Sequence, residues 1–447
     1  AAWCCWRTMW MRRLAMCAFN RSMAQSKPKR MFQSLIHTPS CLPMLTRSFL
    51  YLTLLGIGGL LVACSANSES RDIRFAQYTI TEDAQLWWAW DLTDVNADGI
   101  TDVVVQHNNG SGGWLGWYEG QRDPAQSWPL QIVADSLEDG RRFAAGDLDT
   151  GDFDNDGDID LLGVVHPGEW TDAGAPADLF WFENPTWQRH PIGQIPDALK
   201  DVNLADLDND GRLDVLAITF EESYLTIFQQ EATGAFAIAQ QIQITNLHEG
   251  MDVCDLNGDG FLDIATNGYW LANPTGPLTD PWPLASIDSV WHSQDGDWSR
   301  NATKVACADL DGNDRPEVLI AHSERTGYPL ARYRLVDATT NSWDKEIVLD
   351  SLVAAHSLQV ADFDLDGALD ILTGVNRSRA EDLDVHDHPV YVVRNGASGW
   401  DTLRVHSGGI YNAQVEDYEG DGDFDLFRYP THNDTVLQVL VNQVISE

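Results

Sequence analysis

The stretch that decides the fold is Asp206-Leu207-Asp208-Asn209-Asp210-Gly211-Arg212-Leu213-Asp214. Oxygen-bearing side chains stand at positions one, three, five and nine, and glycine stands at position six. Alternate carboxylates can surround a hard cation, the carbonyl of position seven can add a ligand, and glycine permits the sharp turn between them. The glutamate that closes an EF-hand at position twelve is absent, and an apolar run typical of a strand follows. We therefore expect a calcium loop that leads into a β-strand.

This pattern occurs seven times, and its first positions are separated by roughly 49 to 58 residues, a spacing typical of propeller blades. Solvent-exposed acidic turns without a metal are the alternative, but they do not explain the regular spacing. The predicted ligands, loop by loop, are Asp94, Asn96, Asp98 and Asp102; Asp152, Asp154, Asp156 and Asp160; Asp206, Asp208, Asp210 and Asp214; Asp255, Asn257, Asp259 and Asp263; Asp309, Asp311, Asn313 and Glu317; Asp362, Asp364, Asp366 and Asp370; and Asp417, Glu419, Asp421 and Asp425.

Loop five departs from this pattern, because Asp314 replaces the glycine and Glu317 replaces the final aspartate. We expect it to be the weakest of up to seven calcium sites. Removal of the cations would leave several carboxylates repelling one another, so metal binding and folding should be coupled.

Each repeat contains four short apolar runs separated by Gly, Asn and Asp, which predicts four strands per blade. The last repeat lacks its fourth run, whereas residues 73–80 form an apolar run with no blade of their own. We therefore predict an all-β fold, a seven-bladed β-propeller over residues 73–447, in which the N-terminal strand completes the last blade and removes the open edge. A tryptophan near the fourth strand recurs and should pack between blades. These residues are Trp128, Trp187, Trp343 and Trp400.

The N-terminal 63 residues carry eight basic groups and no acid, although the chain has 68 acidic against 28 basic residues. Residues 1–43 resemble an upstream, disordered extension, and residues 44–63 resemble a lipoprotein signal peptide. Its end, Leu61 to Cys64, resembles a bacterial lipobox, which implies lipidation of Cys64; an ordinary cleaved signal or an uncleaved anchor is the alternative. Residues 64–72 would be a tether. We expect a monomer at the bacterial cell envelope or secreted, and the acidic remainder excludes nucleic acid as a partner.

Two cysteines, Cys254 and Cys307, lie one and two residues before loops four and five. Their offsets differ by one, so they should point to opposite faces of their strands. We therefore expect two buried free thiols rather than a disulfide.

The repeated motif resembles the FG-GAP/VCBS repeats of bacterial surface proteins and the calcium hairpins of integrin α-subunit propellers. The resemblance covers about residues 73–447 and implies the propeller and its calcium loops, although the Phe-Gly…Gly-Ala-Pro signature is not evident. The family includes adhesion modules, carbohydrate binders and some polysaccharide lyases, so the fold does not define the activity.

All seven loops should lie on one face of the ring, and the longer connections on the opposite face carry the scarce cations and histidines. Two functions fit this arrangement. The first, which we favour, is a surface module that binds polysaccharide or an extracellular protein. The second is a lyase that acts by β-elimination on a uronate-containing glycan, which needs cations, a base and an acid. Candidates for those roles are His107, His166, His322, Tyr269, Arg141, Arg142 and Lys200. No Gly-x-Ser-x-Gly, phosphate-loop or zinc-binding spacing is present.

Overall fold

The computed structural model describes residues 71–84, 88–107, 113–135, 141–166, 174–431 and 434–444. Within them the chain forms seven antiparallel sheets arranged as the blades of a propeller, which confirms the predicted all-β, seven-bladed fold. The predictions for residues 1–43, for the signal peptide, for Cys64 and for most of the tether lie outside the described residues. No described helix is long and apolar enough to cross a membrane.

The strands follow one another from the channel outwards in each blade. Blade one contains β2 (Ala89–Thr93), β3 (Asp102–Gln106), β4 (Leu115–Tyr118) and β5 (Leu130–Ala134). Blade two contains β6 (Arg142–Phe143), β7 (Thr150–Gly151), β8 (Asp160–His166), β9 (Ala177–Glu183) and β10 (Gln188–Ile195). Blade three contains β11 (Leu199–Ala205), β12 (Asp214–Thr219), β13 (Tyr224–Gln230) and β14 (Phe236–Gln243). Blade four contains β15 (Met251–Cys254), β16 (Asp263–Thr266), β17 (Tyr269–Leu271) and β18 (Leu284–Ser286).

Blade five contains β19 (Thr303–Ala308), β20 (Glu317–His322), β21 (Thr326–Asp337) and β22 (Ser342–Val353). Blade six contains β23 (Ala355–Ala361), β24 (Asp370–Val375), β25 (Val390–Gly396) and β26 (Gly399–His406), with helix α1 (Arg377–Asp382) between β24 and β25. Blade seven contains β27 (Tyr411–Glu416), β28 (Asp425–Tyr429) and β29 (Leu437–Asn442). A 3₁₀ turn at Ser289–Trp291 follows blade four.

The N-terminal strand β1 (Phe75–Thr81) pairs antiparallel with β29 and is the outer strand of blade seven. Phe75 lies opposite Asn442, and Tyr78 lies opposite Val439. The predicted closure is confirmed: the two ends of the described chain share one sheet, so the ring has no unpaired joint between its first and last blades.

The core lies between the blades, where the apolar faces of neighbouring sheets meet. The four recurring tryptophans pack or hydrogen-bond against the preceding blade, which confirms their predicted position. Their contacts are Trp128 with Phe427 (6.2 Å between ring centroids), Trp187 with Trp117 (5.3 Å), Trp343 with Trp270 (5.9 Å), and Trp400 Nε1 with Glu346 Oε1 (2.9 Å).

A second repeated contact, which the sequence analysis missed, joins the blades near the loops. A side-chain amide at the end of the third strand donates to the carbonyl of the second loop residue in the preceding blade; we call this contact the amide latch. The latches are Asn184 to Val95 (2.9 Å), Gln230 to Phe153 (2.7 Å), Asn273 to Leu207 (2.9 Å), Asn395 to Leu310 (2.6 Å) and Asn442 to Phe363 (3.0 Å). Between blades seven and one, the backbone amide of Thr101 donates to Tyr418 O at 3.0 Å instead.

In the described structure, the junction between blades four and five carries no amide latch, and a disulfide joins Cys254 of β15 to Cys307 of β19 there, with Cα atoms 6.3 Å apart. The prediction of two free thiols is therefore wrong. That prediction placed the cysteines on opposite faces of their strands and assumed that the two strands are neighbours in one sheet. In a propeller the sheets stack face to face, so side chains on opposite faces of adjacent blades meet in the same interface.

Candidate functional site

The seven acidic loops join the first and second strands of their blades and therefore lie on one face of the ring. Asp206 Oδ1 and Oδ2 accept hydrogen bonds from the backbone amides of Asp210 and Gly211, at 2.9 and 2.8 Å, and fold the loop around its first residue. Gly211 has a φ of +85°, a backbone conformation that disfavours any residue with a Cβ. In loop five Asp314 takes the corresponding position with a φ of +66°.

In four loops three acidic side chains bring ligand atoms within 4.8 Å of one another. Asparagine occupies position three of loops one and four, which therefore hold fewer carboxylates. The converging groups are Asp152, Asp154 and Asp160; Asp206, Asp208 and Asp210; Asp309, Asp311 and Glu317; and Asp362, Asp364 and Asp370. Such oxygen clusters match the ligand chemistry of calcium.

The ninth residue of each loop has a structural role that the motif did not reveal. Asp214 accepts the backbone amide of Leu207 in its own loop at 3.1 Å and that of Gln230 on the third strand at 2.9 Å. The ninth residues of the other six loops accept the corresponding amide within their own loop. Burial raises the pKa of Asp214 to about 7, against the two backbone hydrogen bonds that lower it. The ninth carboxylate thus fixes the loop to the sheet.

Loop five contains a cation supplied by the chain itself. Arg332 of β21 places Nη2 2.9 Å from Glu317 Oε1 and 3.1 Å from Asp311 Oδ2. By comparison, Arg394 in blade six lies 3.9 Å from Asp364 of loop six, farther than Arg332 lies from either carboxylate of loop five. The residues of loop five therefore fit a guanidinium rather than a calcium ion.

On the opposite face, five charged or titratable side chains from blades three to six meet beside the central channel. We call Lys200, Glu249, Glu324, His356 and Arg379 the mouth cluster. The Nζ atom of Lys200 lies 2.6 Å from Glu249 Oε2, and His356 Nε2 lies 3.2 Å from Glu324 Oε1 and 3.8 Å from Glu249 Oε1. Arg379 Nε lies 3.3 Å from Glu324 Oε2. The first four side chains are buried, so solvent screens these pairs only weakly.

The ion pairs control the ionisation of the cluster. Burial alone would raise the pKa of Glu249, but Lys200, Lys304 and His356 hold it well below its usual range. Burial would likewise lower the pKa of Lys200, but Glu249 and its other neighbours raise it above its usual range. Glu249 is therefore a carboxylate and Lys200 an ammonium group at neutral pH.

Glu249, Glu324 and His356 bring ligand atoms within 4.8 Å of one another, a distance that suits a metal ion. Both carboxylates, however, already pair with cations, namely Lys200 and Arg379. A divalent ion would add uncompensated charge to a buried site, which is costly. We therefore interpret the mouth cluster as an ion-pair network.

A central cavity, open to solvent, lies inside the ring and is lined by the innermost segments of all seven blades. Its wall is mainly polar. His356 of the mouth cluster is part of this wall, together with Asp201, Lys304, Gln359 and Asn412. Carboxylates, amides and cations therefore point into one confined space. Such a surface can both accept and donate hydrogen bonds to a ligand rich in hydroxyl groups.

The structure places two of the predicted lyase residues at the mouth cluster and the other five elsewhere on the rim. Lys200 belongs to the mouth cluster, and His322 lies beside it, where its Nδ1 accepts the backbone amide of Glu324 at 3.2 Å. Burial, and then Arg325, lower the pKa of His322 to about 3, so this imidazole is neutral.

The remaining candidates contact other parts of the rim. Arg141 pairs with Asp178, and His166 Nε2 lies 2.8 Å from Ala175 O. The rings of His107 and Trp114 stack with centroids 5.3 Å apart, those of Tyr269 and His292 3.8 Å apart, and Arg142 lies opposite His166 in the sheet. Within the described residues, these contacts do not join the five side chains to the mouth cluster.

Glu249 and Glu324 are functional candidates that sequence reasoning missed. In a chain with 68 acidic residues, neither one carries a local signal. Their burial distinguishes them, because a carboxylate is almost never fully buried unless it is paired.

Comparisons with known proteins agree with this architecture. The FG-GAP-like repeat family matches residues 152–217 and 206–266. Aldos-2-ulose dehydratase of Phanerodontia chrysosporium is 22% identical over 331 residues, which cover 64% of this chain and 35% of that protein. This chain thus spans about a third of the curated relative.

Similar solved structures share little sequence with this chain. BBS1N, crystallised in complex with ARL6DN, has a TM-score of 0.50 and 10% identity over 83% of this chain and 96% of its own. Sqt1 of Saccharomyces cerevisiae has a TM-score of 0.47 and 9% identity over 83% of this chain and 99% of its own. At 10% identity the likeness to BBS1N concerns the fold alone.

Proposed function

We propose that this β-propeller with FG-GAP-like repeats binds carbohydrate at the mouth of its central channel, on the face away from the acidic loops. The observation that carries the proposal is the polar cavity bordered by the buried mouth cluster. Pockets that recognise small molecules place a few fixed polar groups in a concave surface. The name of the curated relative, a dehydratase of aldos-2-uloses, supports a sugar as the ligand.

The lining of the cavity suits a sugar better than an apolar ligand or a nucleotide. Asp201 accepts the backbone amide of Gly250 at 2.5 Å, so its position is fixed by the neighbouring blade. Gln359 offers both a donor and an acceptor, and Lys304 offers donors only. Sugar hydroxyls both donate and accept, so they can satisfy all three kinds of group.

The test is isothermal titration calorimetry with neutral and uronate-containing oligosaccharides. We expect Gln359→Leu, which replaces an amide in the cavity wall, to weaken binding at least ~10-fold, about 1.4 kcal/mol. The matched control is Gln243→Leu on the exposed outer strand β14, which should bind as the wild type does. Equal affinities of the two variants, or no binding by the wild type to any probe, would reject the proposal.

A second candidate function is a carbon–oxygen lyase that acts on the bound sugar. In such an elimination a base removes a proton from carbon, the adjacent C–O bond breaks, a C=C bond forms, and an acid protonates the departing oxygen. The 3.2 Å contact of His356 with Glu324 would orient the imidazole for proton transfer, and the ammonium group of Lys200 would stabilise negative charge that develops on the substrate.

The lyase hypothesis is tested by the ultraviolet absorbance of unsaturated products. Incubation with alginate, pectin, ulvan and 2-keto sugars should give a rising absorbance with the wild type and at least ~10²-fold slower turnover with His356→Asn. Absence of product across this panel, while binding persists, would leave the binding function and exclude the lyase.

We also propose that calcium occupies the acidic loops other than loop five. The converging carboxylates in loops two, three and six support this assignment, although in loop three Arg212 pairs with Asp210. In loop five Arg332 pairs with both Asp311 and Glu317 and argues against a calcium ion there. Lipidation at Cys64, the cell-envelope location, a protein partner and the monomeric state remain predictions of the sequence.

A further inference from the structure

Trp298 is an exposed aromatic side chain on the face that carries the mouth cluster. It lies in the connection between β18 and β19, and 49% of its surface is exposed. Of the large apolar side chains that are exposed in the described structure, Trp298 is the single aromatic residue, and most of the others lie on outer strands. An exposed indole at a rim is a surface that a ligand can cover.

The connection that carries Trp298 is held in place by polar contacts. Arg325 of blade five donates to Ser299 Oγ at 3.1 Å, to Gln294 Oε1 at 3.2 Å and to the carbonyl of Asp295 at 3.2 Å. The backbone amide of Gln294 donates to Asn301 Oδ1 at 2.9 Å. These bonds fix the segment on both sides of Trp298, so the indole is presented by an ordered backbone.

The indole also contacts the mouth cluster. The guanidinium carbon of Arg379 lies 5.2 Å from the ring centroid of Trp298, a cation–π contact. Arg379 Nε donates to the carbonyl of Glu324 at 2.9 Å, and Glu324 pairs with His356 in the wall of the cavity. A continuous series of contacts therefore runs from Trp298 to the channel.

We propose that Trp298 is a stacking platform for a pyranose ring, and that it extends the sugar site outwards from the channel mouth. This inference rests on the proposed carbohydrate-binding function. The apolar C–H face of a pyranose packs against an indole, whereas its hydroxyls remain available to donors at the edge. Arg379 holds the indole by its cation–π contact and places guanidinium N–H groups beside it, where they can bind a ring hydroxyl or a uronate carboxylate.

The platform predicts a dependence of affinity on ligand length. Arg379 and Glu324 lie between Trp298 and His356 of the cavity wall, so we expect a longer sugar chain, but not a single ring in the cavity, to cover the platform. We therefore expect Trp298→Ala to weaken the binding of glucose or galacturonate hexasaccharides at least ~10-fold and to leave the binding of the monosaccharides unchanged. Trp298→Phe should restore most of the loss, because it retains an aromatic face.

The experiment uses calorimetry with the whole chain and includes Val290→Ala, an exposed apolar residue of the same connection, as the matched control. Thermal melts of all variants verify that they fold. Wild-type affinity of Trp298→Ala for the hexasaccharides, with loss of binding in Gln359→Leu, would overturn the platform but not the cavity site. Absence of binding by the wild type to every hexasaccharide would overturn both.

Discussion

Loop two and loop five hold three acidic side chains at the same close spacing but neutralise them in different ways. In loop two, Asp152, Asp154 and Asp160 converge without a basic side chain within 4.0 Å in the described structure. In loop five, Arg332 enters between Asp311 and Glu317. The proposed calcium would neutralise this arrangement of carboxylates from solution in blade two, whereas blade five supplies its own cation.

Blade five is irregular in a second respect. Its junction with blade four lacks the amide latch and carries the disulfide between Cys254 and Cys307. Elsewhere the ring is joined by hydrogen bonds near the loops, such as that from Asn395 to Leu310. In blade five, a disulfide thus takes the place of the amide latch, and an ion pair of Arg332 with two carboxylates takes the place of the calcium ion proposed for the other loops.

Removal of calcium should produce the largest effect. Each occupied loop stabilises the native state by about 2.7 kcal/mol when free calcium is 100 times the dissociation constant, and several loops contribute together. We expect EDTA to lower the melting temperature by more than ~10 °C, as measured by differential scanning calorimetry. Superimposable melting curves with EDTA and with calcium would contradict the assignment of these loops.

Replacement of the internal cation of loop five should have the next largest effect. Arg332→Gln leaves Asp311 and the buried Glu317 without their partner, so we expect a loss of about 3–5 kcal/mol in the free energy of unfolding in EDTA. The matched control is Arg334→Gln, whose main partner Asp344 is exposed and whose Nη1 lies farther from Asp311, at 3.7 Å; its loss of stability should be much smaller than that of Arg332→Gln.

Calcium sharpens this test. If the vacated loop can bind the ion, calcium should stabilise Arg332→Gln more than it stabilises the wild type, as urea denaturation would show. Equal stabilities of the Arg332 and Arg334 variants in EDTA would refute the role of Arg332.

Loss of the disulfide should have a smaller effect. The double variant Cys254→Ser, Cys307→Ser should be less stable than the wild type by about 2–4 kcal/mol, because the crosslink restrains the unfolded chain across 53 residues of separation. An unchanged free energy of unfolding in the cysteine variant would show that the junction between blades four and five does not depend on the disulfide.

Asn395→Ala, which removes an amide latch at the next junction, should lower the free energy of unfolding by about 1–3 kcal/mol.

Much of the fold could be predicted from the sequence, because its signals are local and repeated. The position of Gly211 follows from the turn that it makes, and the alternation of apolar runs follows from the period of a strand. Closure by β1 could be predicted because the last repeat lacks a strand and the first residues supply one.

The candidate site was predicted only in part. The face on which cations gather follows from the order of strands and loops, and it includes Lys200 and His322. Glu249 and Glu324 could not be identified from the sequence because acidic residues are abundant in this chain. The sequence positions of His107, His166 and Tyr269 do not indicate that these residues lie apart from the cluster.

The sequence by itself determined the number of blades, the acidic loops and the way in which the ring closes, since these depend on residues within one repeat and on the regular spacing between repeats. Only the tertiary structure decided that Arg332 occupies loop five, that Cys254 meets Cys307, and that Glu249 and Glu324 pair with Lys200 and Arg379. Each of these contacts joins residues from different strands or blades. Their meeting depends on how the sheets stack around the channel, a geometry that no local pattern of residues encodes.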